Sequence, residues 1–130
     1  MGLRYVSPMM NRSLALFAAL NGALSVAVGA FAAHGAAPPV KTLLTTGGHY
    51  QLAHAILAIV CAFYGGRLVQ IAGWLAATGG LIFCLALCLI IWTSTPAFGA
   101  VAPIGGLLMI AAWLLLAFAA FRQGPGALAS

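Results

Sequence analysis

Not one carboxylate side chain occurs in these 130 residues: Asp and Glu are both absent, and the charged inventory is five Lys or Arg. No paired-acid hydrolase, no carboxylate-ligated magnesium or calcium site and no Asp/Glu proton relay can be built from such a chain alone. Charge of either sign is scarce. A soluble domain carries about a quarter charged residues, whereas here 4% are charged and 65% hydrophobic. That leaves nothing from which to make a polar shell, so the hydrocarbon of a bilayer must solvate most of the outer surface. Cysteine is scarce too. Cys61, Cys84 and Cys88 contain no CxxC pair. Cys84 and Cys88, four apart on one helix, are badly placed for a disulfide and read as small hydrophobes.

The five cations are Arg4, Arg12, Lys41, Arg67 and Arg122, scattered singly between apolar blocks. With no basic cluster, the net charge of +5 does not point to nucleic acid. Isolated cations at helix ends are headgroup anchors and orientation signals, and the first partner implied is the lipid bilayer itself.

Four apolar blocks give the fold class: an all-α membrane protein, a four-transmembrane-helix bundle forming a single transmembrane domain over residues 1–130. Crossing about 30 Å of hydrocarbon takes about 20 residues at 1.5 Å each. The spans fall at about 14–33, 49–66, 69–92 and 102–121. The second apolar run is short, so its helix recruits Thr46 to His49 at the interface. With four spans, Arg4, Arg12, Arg67 and Arg122 share one side and Lys41 lies alone on the other, which places both termini in the cytoplasm. Arg4 and Arg12 followed by Ala30-Phe31-Ala32 resemble a leader with a small-x-small cleavage site. The apolar block nevertheless exceeds the usual 7–15 residues of a signal core, and a retained span is expected.

The longest connection is His34 to His49. Pro38-Pro39 is expected to break any helix. Val40 to Thr46, with Leu43-Leu44 beside Lys41 and three threonines, reads as a short segment lying at the membrane surface. Gly47-Gly48 would then let it bend into the second span. Small residues recur at three-, four- and seven-residue spacing: Gly22, Ser25, Gly29 and Ala33; Ala55, Ala58, Ala62 and Gly65; Gly73, Ala77 and Gly80; and Gly105-Gly106 behind Pro103. Such spacing permits close helix approach in lipid. The helix-packing candidates are Gly22, Gly29, Gly73, Gly80, Gly105 and Gly106.

The unusual polar group is His34, His49, Tyr50, Gln51 and His54, all on the outer side. Tyr50 and His54, four residues apart, share a helix face. Imidazole is a common metal ligand, it can ligate haem or contact a quinone, and it can carry protons. Against these stands a structural role in which His54 and Gln51 bond across helices and fix the bundle. No HxxxH or HxxH spacing marks a metal site, and none is assigned. Asn21 and Ser25 in the first span and Thr78 in the third are expected to find interhelical partners. Trp113, inside the fourth span, needs a partner for its indole N–H. Tyr50, Tyr64 and Trp92 fall near span boundaries, where amphipathic rings are favoured.

Three motifs together resemble a known family. Gly29-Ala30-Phe31-Ala32-Ala33-His34-Gly35 resembles its GAFGAHG signature. Thr46-Gly47-Gly48-His49-Tyr50-Gln51-Leu52-Ala53-His54-Ala55 resembles its TGxxYQxxHxLA signature. Pro103-Ile104-Gly105-Gly106 with Trp113 resembles its TPxGGxxxxxGW signature. This is the domain-of-unknown-function 423 family, small inner-membrane proteins that include relatives of transmembrane protein 256 in animals. The chain departs from the pattern at Ala32, Ala102 and Ala112, and where the family has a polar FSGSLY stretch it has Ile82-Phe83-Cys84-Leu85-Ala86-Leu87. The resemblance implies a four-span bundle in the bacterial inner membrane and marks His34, Tyr50, Gln51, His54 and Gly105-Gly106. It supplies no activity.

With no catalytic constellation, the sequence reads as a non-enzymatic membrane protein: an accessory or assembly subunit of a larger membrane complex, plausibly respiratory, partnered by other membrane subunits or by its own copies. The sequence requires no cofactor. The alternative is a ligand-binding or redox-linked module that uses the outer-side His and Tyr for a metal, haem or quinone. A transporter or channel is least favoured, since one polar cluster leaves little to line a path.

Overall fold

A computed structural model describes residues 10–64 and 66–123. Among them are four α-helices: α1 Arg12–His34, α2 Pro38–Phe63, α3 Arg67–Thr93 and α4 Ala102–Gln123, with a 3-10 turn over Pro96–Ala100 before α4. Arg4, Tyr5, Gly65 and the expected Gly124-Pro125 closure lie outside the described residues. Three helical segments, α1, α3 and the 3-10 turn with α4, are long and apolar enough to cross a membrane. Helix α2 is as long as its neighbours but carries Lys41, three threonines, two histidines and Gln51.

Consecutive helices pack on each other: α1 on α2, α2 on α3, and α3 on α4. Helix α2 is therefore held between α1 and α3, while α4 rests on the far side of α3. The core is made of small side chains. Ala18, Ala58, Cys61, Ala62 and Ala77 gather around Leu14 near one end, and Ala32, Cys84 and Cys88 around Leu44 near the other. Large side chains point outward instead, with Leu20, Ile56, Leu114 and Phe121 all exposed. In water this would be inside out. In lipid no hydrophobic gain draws Leu and Phe inward, and close backbone contact between small residues becomes the main attraction.

The expected surface segment from Val40 to Gly48 is not separate from α2. One helix runs from Pro38 to Phe63. Pro38 and Pro39 do not break it, because they occupy its first two positions, where the missing N–H has no helical acceptor to lose. Gly47-Gly48 does not interrupt it either. A Cβ on Gly47 would lie 3.4 Å from the Cα of Cys84 on α3, and one on Gly48 would lie 3.4 Å from the carbonyl of Ser25 on α1. The pair flattens both flanks of α2 at one level, so that two helices can close on it.

Between α3 and α4 the approach is tighter. A Cβ on Gly79 would lie 2.7 Å from the carbonyl oxygen of Gly105, and one on Gly105 would lie 2.6 Å from that of Gly79. Gly73 admits Leu14 and Cys61, each 2.7 Å from where its Cβ would be. A Cβ on Gly80 would lie 3.3 Å from the Cα of Gln51 and 3.4 Å from the Cβ of His54, and one on Gly22 would make ordinary contact with Ala55 at 3.9 Å. Gly29 and Gly106 differ from the packing role expected of them: a Cβ on either meets nothing within 4 Å. At the level of Gly29 it is Gly48, on the facing helix, that makes the room.

A clasp ties three helices at the end that holds Arg12 and Arg67. Asn11 caps α1 by accepting from the Leu14 N–H at 3.0 Å, and its amide donates to Gln70 Oε1. The Asn11 backbone N–H donates to Ala62 O at 2.9 Å, while Gln70 Nε2 donates to Cys61 O at 3.0 Å and Tyr64 O at 3.1 Å. The last carbonyls of a helix have no intrahelical donor, and near hydrocarbon an unmet one is costly. Here α1 and α3 satisfy those of α2. The turn after α2 puts Gly66 at φ 105°, a left-handed conformation that favours glycine.

Neighbouring glycines give a direct test. Gly105→Ala is expected to lower stability in detergent by about 1–3 kcal/mol, the scale of overpacking. Gly106→Ala should leave the thermal midpoint unchanged or slightly raised. Equal effects from the two substitutions would contradict the α3–α4 contact.

Candidate functional site

The polar residues that lie together in sequence at the start of α2 separate in space. Gln51, buried, turns toward α1, where its Nε2 donates to Asn21 Oδ1 at 2.9 Å; Asn21 in turn donates to Phe17 O at 3.0 Å. The Oε1 of Gln51 is buried without a hydrogen-bond donor among the described residues. Ser25 bonds within its own helix, to Gly22 O at 2.7 Å. His34 ends α1 and His49 lies on α2, and both are exposed. Among the described residues no three His or Cys side chains come together as a metal would need.

Tyr50 and His54 face the other way, toward α3 and α4. Their rings stack at 6.4 Å and 20°, and Tyr50 meets the Phe83 ring edge-on at 5.3 Å. The partner that Trp113 requires is His54: its indole N–H donates to His54 Nε2 at 3.0 Å. The other imidazole nitrogen, Nδ1, lies 2.7 Å from the carbonyl oxygen of Tyr50. A carbonyl only accepts, so Nδ1 carries the hydrogen. An indole only donates, so Nε2 offers its lone pair. One neutral tautomer satisfies both contacts. A second proton on Nε2 would set two N–H groups against each other.

This pairing narrows what His54 can do. Both nitrogens are engaged, so no lone pair is left for a metal or a haem iron while Trp113 is in place. The histidine acts as a bridge from α2 to α4 across the face of α3. Gly80 makes it possible by letting α3 sit against the backbone of α2 beneath the ring.

Above the bridge is a cleft of about 510 Å³, lined by Thr46, Tyr50, His54, Phe83, Gly106, Met109, Ile110 and Trp113. Its walls are aromatic and apolar and hold no charged group. Tyr50 is 51% exposed and Trp113 also 51%, so the cleft opens sideways. The Thr46 hydroxyl donates to Thr42 O at 3.0 Å and retains accepting capacity. Gly106, with nothing near its missing Cβ, forms an open notch. Met109 and Ile110 are members of this cleft that the sequence does not single out. Nothing in their local pattern separates them from other apolar positions of α4.

Residues 28–106 match the family model described as a protein of unknown function, DUF423. The match takes in all of the first two signatures and the Pro103–Gly106 element. The chain belongs to the DUF423 family. It is similar to the UPF0382 membrane protein YwdK of Bacillus subtilis, 34% identical over 116 residues that cover 82% of this chain and 94% of that one. A UPF0382 membrane protein of Staphylococcus haemolyticus is 33% identical over 114 residues, covering 82% of this chain and 93% of its own length. One from Staphylococcus aureus is 30% identical over 114 residues, with the same shares of 82% and 93%. No solved structure matches the chain. The DUF423 chain is thus a helical membrane protein like its bacterial relatives, and its second signature, YQxxH, supplies both buried contacts of α2: Gln51 toward α1 and His54 toward α4.

Trp113→Phe keeps an aromatic ring and removes the donor. It is expected to cost about 0.6–1.7 kcal/mol, the range of interhelical hydrogen bonds in lipid. In ¹⁵N spectra of histidine-labelled protein, His54 should show a protonated Nδ1 and an accepting Nε2, and the Nε2 resonance should move in the Phe variant. An unchanged resonance would contradict the bridge.

Proposed function

We propose that this chain is a multi-pass protein of the bacterial inner membrane, with four spans and both termini cytoplasmic, that serves as an accessory or assembly subunit by seating a segment of another membrane protein in the α2–α4 cleft. The cleft carries the reading. It is socket-shaped, uncharged, open sideways, and its back wall is already hydrogen-bonded internally. Such a surface suits a bulky apolar side chain from a neighbouring transmembrane segment better than it suits an ion. Arg12, Arg67 and Arg122 at one end against Lys41 at the other support the orientation. The packing of α2 along both α1 and α3 supports its crossing the same slab. At 26 residues and 1.5 Å each it is about 39 Å long, enough for hydrocarbon and part of an interface.

A second reading rests on Tyr50, whose hydroxyl makes no hydrogen bond among the described residues while its ring lines the cleft. A neutral ring bearing a carbonyl, as in membrane quinones, could accept from it and stack on the aromatic wall. This form of the ligand-binding alternative does not call on His54, which the bridge occupies.

A photo-crosslinking residue at Ile110, on the cleft, and another at Leu20, on the outer face of α1, separate these readings. A docked partner predicts a discrete adduct from position 110 that is lost in Gly106→Trp, which fills the notch, and none from position 20. Co-purification in mild detergent should fall in the same variant. A stable monomer without adducts, whose tryptophan fluorescence is quenched by a short-chain quinone in the parent but not in Tyr50→Phe, would replace the subunit reading with the second one.

A further inference from the structure

A second cleft lies at the opposite end of α4. About 330 Å³ in volume, it is lined by the start of α3, including Arg67 and Val69, and by the end of α4, including Ala119, Arg122 and Gln123. Arg67 and Arg122 are 55 positions apart in sequence, yet the fold brings both to one cavity. The Arg122 guanidinium is held over the ring of Phe118, 5.9 Å from its centre. Two cations sharing a cavity repel, and this chain cannot neutralise them with side chains, because it contains no Asp or Glu at all. No side chain of this protein supplies an anion there. Gly66, which precedes α3, also lines this cavity.

An apolar groove adjoins the cavity. A further 350 Å³ between α2 and α4 shares Val69, Ala119 and Gln123 with it and extends along Leu57, Val60 and Leu116. A charged mouth at the end of a helix pair, leading into an apolar channel alongside it, has the two-part chemistry of one class of molecule. A free anion would fill the mouth and leave the groove. A neutral lipid would fill the groove and leave both cations without a counterion.

We propose that this corner is a binding site for one anionic phospholipid: Arg67 and Arg122 take its phosphate, and the groove between α2 and α4 takes an acyl chain. The site goes beyond the subunit reading and does not depend on it. It also does not depend on which side of the membrane this end faces. Basic pockets between transmembrane helices are a recurrent way of holding anionic headgroups. Here no acidic side chain of the chain competes for the two arginines.

The test uses the full chain, purified in neutral detergent, stripped of lipid and returned to phosphatidylglycerol or phosphatidylcholine of identical acyl chains. Native mass spectrometry should show one retained phosphatidylglycerol, preferred about thirtyfold over phosphatidylcholine, the scale of two cations at a membrane surface. That preference should shrink in Arg67→Gln or Arg122→Gln alone and vanish in the double variant. Ala120→Trp, at an exposed position on the groove, leaves both arginines and should reduce retention of long-chain phosphatidylglycerol. Circular dichroism of each variant checks folding, and the parent's lipid preference stands as a test even where a variant fails to fold. Equal retention of the two lipids by the parent overturns the proposal. Thermal stabilisation by inorganic phosphate equal to that by phosphatidylglycerol overturns the acyl-chain half and leaves an anion site. Retention of a partner protein through these arginines, with no lipid preference, also overturns it.

Discussion

The contact between Gly79 and Gly105 sets the geometry of most of the bundle. Two helices that touch through backbone atoms lie closer than any side chain would allow, and their faces turn together over several turns. Trp113 sits eight residues, a little over two turns, beyond Gly105 on α4. It reaches His54 on α2 only because α4 is drawn down onto α3 and α3 is in turn drawn onto α2 at Gly80. The bridge, the cleft above it and the groove below it are consequences of that drawing-in. In a bilayer the attraction has to come from such packing, since lipid tails compete on equal terms for every Leu and Phe.

Helix α2 shows how the chain handles polarity. It is the most polar of the four and is held between two others. Its polar groups divide by face: Gln51 to Asn21 on α1, His54 to Trp113 on α4, and its terminal carbonyls to Asn11 and Gln70. Glycines at 47, 48 and, across from it, 80 bring the flanking helices close enough for short side chains to make those bonds. Among the described residues the one buried side-chain N or O atom left over is Gln51 Oε1.

The helices themselves were legible from block length and hydropathy, and the observed bounds fall within a few residues of those read from the sequence for α1, α3 and α4. The error lay in α2, where Pro38-Pro39 and Gly47-Gly48 carry strong local signals of breakage. Both pairs serve other ends: the prolines start the helix and the glycines thin it for its neighbours. Propensity describes a chain in isolation, whereas those glycines answer to helices brought in by the fold. The polar cluster was legible as composition but not as geometry. Two isolated polar rings in hydrocarbon, His54 and Trp113, must each find a partner, and that requirement held in the sequence alone. That they satisfy each other depends on the α3–α4 approach, and Gly79, which makes half of it, is not distinguished from the other glycines by spacing.

The clasp at the lower end has a bearing on the order in which the molecule can be completed. Asn11 and Gln70 stand 59 residues apart, so the first helix emerges from synthesis long before the residue that secures its start exists. Until α3 arrives, the carbonyls that close α2 lack two of their donors, and a hairpin of α1 and α2 alone is unsealed at that end. The fastening at the end of α2 is complete only with the third helix in place. A truncation after residue 63 would remove more than two helices; it would leave the first two without their fastening.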